Sequence, residues 1–139
     1  MQQLNPEDKE WIISMLTDRF QAYTVILFGS AARGELRADS DVDLAFLAPQ
    51  SPSSYDLFMV SSILADRLKR EVDLIDYSVA STVFKAQILR HYELLLDDHP
   101  IERQYTFMYA LKAYAYLNDE RAAIMTRYVN PNRVEGMNP

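Results

Sequence analysis

Apolar positions near the start of the chain recur at helical spacing. Trp11, Ile12, Met15, Leu16 and Phe20 fall on one side of a helix. Asn5-Pro6-Glu7-Asp8 supplies its start: a capping side chain, a proline at the first helical position, and acids where the helix dipole favours them. The period then changes. Tyr23 to Phe28 (YTVILF) is a continuous β-prone run ending at Gly29, which predicts a buried strand. Residues 29–40 read as a polar loop with a short helical turn from Ser30 to Gly34. Asp41 to Leu47 (DVDLAFL) alternates, with Val42, Leu44 and Phe46 on one face of a second strand. Beyond the loop APQSPSS, Tyr55 to Arg70 predicts a helix with Leu57, Val60, Ile63, Leu64 and Leu68 on one side. Val72 to Tyr77 predicts a third strand, and Ser81 to His91 a helix with Ser81 as its cap. Glu93 to Asp97 (ELLLD) fits either a continuation of that helix or a short edge strand. Pro100 opens a long helix to about Tyr128.

This order predicts a small α/β domain of the α+β kind, a mixed sheet flanked by helices plus a long C-terminal helix. The expected organisation is a domain over 1–97, a helix over 98–129 packing on the domain, on a partner or on both, and a disordered tail over 130–139, where NPNRVEGMNP has two prolines and three asparagines.

Composition narrows the class. Of 139 residues, 49% are hydrophobic and 24% charged, the balance of a globular domain. No run approaches the ~20 apolar residues of a spanning helix, so no membrane is expected. The opening MQQLNPEDKE has neither a basic nor an apolar signal region, and the chain has no cysteine, so the expected compartment is the cytoplasm. A net charge of −6 gives no broad attraction for nucleic acid, but it leaves room for one nucleotide held through a metal ion. Two of the three glycines, Gly29 and Gly34, stand close together and direct attention to their loop.

That loop carries the chemistry. Gly29 lets the backbone turn sharply and approach a ligand, and Ser30 offers a hydroxyl and an N–H at the start of a turn, where phosphate oxygens bind. Arg33 can reach a phosphate from the same loop, and Gly34 keeps it compact. After Ser30 and ten intervening residues, Asp41 and Asp43 leave the same face of the second strand. Two neighbouring carboxylates repel each other, and a divalent cation relieves that; Mg²⁺ is commonly held by one or two carboxylates plus substrate phosphates. VDLID supplies a third acid, Asp73, whose neighbours Val72 and Leu74 face the core. Three carboxylates on adjacent strands can hold two metal ions. At ~5–7% usage per residue type, Gly-Ser-x10-Asp-x-Asp matches by chance about once in 70,000 windows, so the spacing is a specific signal.

Gly29-Ser30 followed by Asp41-x-Asp43 resembles the signature of the DNA polymerase β-type nucleotidyltransferase superfamily. The longer text LFGSAARGELRADSDVDLAFL, with VDLID about thirty residues on, is similar to its minimal nucleotidyltransferase branch, whose members are often antitoxins encoded beside a HEPN-domain ribonuclease toxin. The resemblance covers residues 10 to 97. It implies the polymerase β-like fold and, residue by residue, a phosphate loop at Gly29 and Ser30, metal-binding acids at Asp41 and Asp43, and a third acid at Asp73 that acts as base or assists the nucleophile. Arg33 and Ser40 match positions near the nucleotide. The implied function is Mg²⁺-dependent transfer of AMP from ATP to a hydroxyl, a tyrosine's, on a HEPN toxin, which silences it; two Mg²⁺ ions are expected. The rivals are an aminoglycoside-type small-molecule enzyme, for which the forty or so residues after Asp97 are few, and an antitoxin acting by contact alone, for which loss of an acid would be the sign.

Other residues carry bland readings. Asp76 lies on the strand face opposite Asp73, Glu35 and Arg37 read as solvated loop charges, and His91 and His99 as surface residues without metal-ligand spacing. Trp11 reads as a core anchor. Along the last helix, Tyr105, Tyr109, Lys112 and Tyr116 share one face and Phe107, Leu111 and Tyr114 another, which suits a helix with two apolar sides.

Overall fold

The computed structural model describes residues 3–37 and 39–129. Helix α1 (Pro6–Phe20) begins as its signals dictate: Asn5 accepts the Asp8 amide at 2.7 Å and Pro6 opens the first turn. Gln21 closes it in the left-handed conformation, φ 56°, and turns the chain into β1 (Thr24–Phe28). After the loop come β2 (Val42–Leu47), α2 (Ser54–Leu68), β3 (Val72–Asp76), a 3-10 turn at Tyr77–Val79, α3 (Thr82–Ile88), β4 (Tyr92–Asp97) and α4 (Pro100–Val129). Ser53 and Ser81 cap α2 and α3, accepting the Asp56 and Phe84 amides at 3.1 Å each. Helix α2 ends earlier than its periodicity predicts, because Lys69 adopts φ 58°.

The strands form one sheet in the order β3-β2-β1-β4, with β2 and β3 parallel and the other pairs antiparallel. The ELLLD segment is therefore a strand: its edges pair with β1, which no helical continuation of α3 would allow. One sheet face (Val25, Leu27, Val42, Leu44, Phe46, Leu74) packs under α1 and α2 with Ile12, Leu16, Val60 and Leu64. The other (Ile26, Phe28, Ala45, Leu47) packs under α3 and α4 with Ile88, Phe107 and Ala110. Both faces of β1 and β2 are thus covered, although the alternation of DVDLAFL marks only one of them as core.

Arg103 ties the start of α4 to the sheet through a two-pronged pair with Asp97, at 3.1 and 2.9 Å. Beyond that, α4 buries Phe107 and Ala110 and leaves Tyr105, Met108, Tyr109, Tyr116, Ile124 and Met125 exposed. The expected disordered tail, 130–139, lies outside the described residues. Among the described residues no helix is long and apolar enough to cross a membrane.

Candidate active site

Strand alternation points Asp43 to the α3/α4 side of the sheet. Asp73 is its in-register neighbour on β3, and Phe28 its neighbour on β1. Asp41 stands one step before β2, exposed, near enough for its charge to act on Asp43. Asp43 is half-buried and Asp73 exposed on its edge strand. Burial first, then a hydrogen bond with Asp73 and the charges of Asp73 and Asp41, push the Asp43 carboxyl up to about 6, while Arg33 pulls it down. The site therefore repels a second negative charge and welcomes a cation.

Gly29 ends β1 with φ +71°, and a Cβ there would collide with Asp43 Oδ2. Only glycine lets this turn pass so closely over the carboxylate. The next residues form the expected helical turn: the Arg33 amide bonds the Gly29 carbonyl at 3.3 Å, and the Glu35 amide bonds that of Ser30 at 2.9 Å. Gly34 continues the turn at φ +71°.

Two hollows meet at Arg33. A cleft of about 490 Å³ has Phe28, Gly29, Arg33 and Asp43 on one wall and Phe84, Gln87, Arg90 and His91 on the other. A second, of about 430 Å³, is lined by Ser30, Arg33, Glu35, Arg37, Asp39 and Ser40. The structure thus brings Gly29, Arg33 and Asp43 into one cleft with Asp73 beside Asp43. Ser30 and Ser40 lie in the adjoining hollow, and Asp41 lines neither. Ser40 also closes its own loop, because its hydroxyl accepts the Arg37 amide at 2.9 Å.

Some loop residues have duties the sequence does not announce. Glu35 is exposed, as a solvated loop charge would be, and it also pairs with Arg33 at 3.2 Å. Arg70, beyond α2, donates to the carbonyls of Arg37 and Ser40 and pins the loop before β2. Asp76 is buried and caps the turn after β3, accepting from the Ser78 amide and hydroxyl at 3.1 and 2.8 Å. The α3 wall was also hidden. Phe84, Gln87 and Arg90 form no motif, and only their one-turn spacing hints at a shared face. His91 is exposed as expected, yet it faces this cleft.

Among the described residues no three acidic or histidine side chains gather closely enough to enclose an ion. The Asp43–Asp73 pair with Asp41 nearby is an open set of oxygens, suited to a hard cation whose remaining ligands come from phosphates and water.

The family model "Polymerase beta, Nucleotidyltransferase" matches residues 10–100. Protein adenylyltransferase MntA of Shewanella oneidensis is 33% identical over 126 residues, covering 90% of this chain and 88% of that protein. The crystal structure of a toxin–antitoxin with AMP-PNP is similar at a TM-score of 0.77 and 28% identity, over 87% of this chain and 98% of that one. The structure of tri-AMPylated Shewanella oneidensis HEPN toxin in complex with MNT antitoxin is similar at a TM-score of 0.74 and 26% identity, over 88% and 97%.

Proposed function

The chain belongs to the polymerase beta nucleotidyltransferase family, and on that premise we propose that it is an antitoxin that transfers AMP from ATP to a hydroxyl, a tyrosine's, of a HEPN-domain ribonuclease toxin. The observation that carries this reading is the Gly29 turn lying directly over Asp43, which would hold nucleotide phosphates against the carboxylates. The relatives support it, since one is a protein adenylyltransferase and another is solved with an AMPylated HEPN toxin.

In the proposed reaction the acceptor oxygen attacks the α-phosphorus of ATP. A new P–O bond forms, the bond to the bridging oxygen breaks, and pyrophosphate leaves with that electron pair. Asp73 takes the hydroxyl proton. The Gly29-Ser30 backbone and Arg33 hold the phosphates, with Glu35 paired to Arg33. Asp41, Asp43 and Asp73 would hold Mg²⁺, two ions in this reading, and the ions would supply charge neutralisation at the phosphates and the attacking oxygen. Ser40 shapes the loop beside the nucleotide. Residues 1–97 form the catalytic unit, and the exposed tyrosine face of α4 receives the toxin, leaving Phe107 and Ala110 to anchor the helix. The compartment in this reading is the cytoplasm, where ATP is plentiful.

The test is co-expression with a cognate HEPN-domain toxin, then intact-mass measurement of that toxin. Mass increments of one AMP are expected with the unaltered chain and none with Asp43→Asn, which should still co-purify. A neutralised toxin of unchanged mass would transfer the reading to inhibition by contact.

A further inference from the structure

Asp73 belongs to two surfaces. On one side it adjoins Asp43; on the other it lines a groove of about 270 Å³ formed from α2 by Leu57, Phe58 and Ser61 and from β3 by residues 72–75. Strand β3 ends the sheet, so one of its sides pairs with β2, and among the described residues the other pairs with no strand. Ser61 donates to the Val72 carbonyl at 2.9 Å and satisfies one outward backbone group. Beside the groove Phe58 is 66% exposed, a large apolar side chain lacking cover next to a candidate catalytic acid. Edge strands with such open backbone groups recruit extended peptides.

The sheet order adds direction. The Gly29 turn follows β1, Asp43 lies on β2, and the open edge belongs to β3. Nucleotide phosphates held at Gly29 and an acceptor held at β3 therefore approach from opposite sides of Asp43. Phosphoryl transfer asks for this, because attacking and leaving oxygens must lie roughly in line.

We propose that the open edge of β3 takes up an extended segment of the protein acceptor as an added strand, which delivers its hydroxyl to Asp73. The inference rests on the adenylyl transfer proposed above and names how the acceptor is held. Side chains of an added strand alternate between faces. The acceptor residue rises on the face shared by Asp43 and Asp73. Its immediate neighbours point to the α2 side, where Leu57 and Phe58 favour apolar residues. A polypeptide fits because the groove is continuous with Asp73 and the outer side of β3 pairs with no strand among the described residues, which calls for an extended chain.

Two measurements test this with the full chain and its cognate HEPN-domain toxin. In the first, the acceptor KM should rise about tenfold in Phe58→Asp, the loss expected when a buried aromatic contact is replaced by a charge. Calorimetric MgATP affinity should stay within about twofold, and Phe58→Leu should restore most of the acceptor affinity. In the second, a photo-crosslinking amino acid at position 58 should join the toxin within a few residues of the hydroxyl that receives AMP. AMP attachment with an unchanged KM in Phe58→Asp overturns the groove and leaves adenylyl transfer standing. So do crosslinks that map far from the modified residue or join two copies of this chain. Absence of AMP on the toxin with the unaltered chain overturns both.

Discussion

At the scale of single residues, Asp43 and Gly29 are matched to each other. The Asp43 carboxyl is raised to about 6 by burial and by its acidic neighbours, so between the ordinary aspartate value and about 6 the folded chain holds a proton that the unfolded chain has released. Stability from this group is therefore greatest at low pH and falls as pH rises through about 6. Without divalent cations, Asp43→Asn should melt higher than the unaltered chain at pH 7.5, and the gap should close toward pH 4; thermal unfolding in chelator across that range checks the sign. Mg²⁺ should raise the melting temperature of the unaltered chain alone. The same variant should lose AMP transfer by at least about a hundredfold, because charge stabilisation at the phosphates goes with the carboxylate. Gly29→Ala should cost about 1–2 kcal/mol for its left-handed backbone, plus a term for the collision with Asp43 Oδ2. Denaturant unfolding of Gly29→Ala, Asp43→Ala and the double variant should give a coupling that relieves the second term only. From the sequence, Gly29 suggests only a close approach to ligand. That it also makes room for a carboxylate fourteen positions on depends on the β1–β2 register, which places Phe28 opposite Asp43.

At the scale of elements, local signals were the most legible. Asn5 and Ser81 cap helices as the sequence predicts, and Ser53, read in the sequence as part of a loop, does so too, because a capping side chain needs only amides three residues away. The short ELLLD run was ambiguous for the complementary reason. An apolar stretch of that length satisfies either period, and β1 decided it by offering an open edge. Helix α3 spans Thr82–Ile88, too short to hold itself without its cap and its packing on the sheet. Ser81→Ala should cost about 1 kcal/mol in unfolding experiments. It should also weaken ATP binding measured by calorimetry, since Phe84 and Gln87 form part of the cleft wall. An unaffected ATP affinity would separate that wall from the nucleotide.

At the scale of the whole molecule, α4 exposes more apolar surface than the domain can cover. Tyr109 is 77% exposed, so Tyr109→Glu should leave the unfolding midpoint unchanged and weaken toxin binding by about 1–2 kcal/mol, read by calorimetric titration of the purified partners. Sequence alone could show that α4 has two apolar faces but not which of them the sheet claims. In the fold the sheet claims Phe107 and Ala110, which pack with Ile26, Phe28, Tyr77 and Ile88, while Arg103 pairs with Asp97 where the helix leaves β4. The chemistry follows the same division. The sequence by itself determined the glycine turn after β1 and the presence of Asp43 and Asp73 as candidate acids on β2 and β3, because these depend on spacing along one chain. Tertiary structure alone decided that Asp73 meets Asp43 across a parallel pair, that Glu35 pairs with Arg33, and that α3 supplies the opposite wall. Those relations join segments distant in sequence or fix side-chain positions in space, and no periodicity records the register at which two strands pair or the face a helix presents.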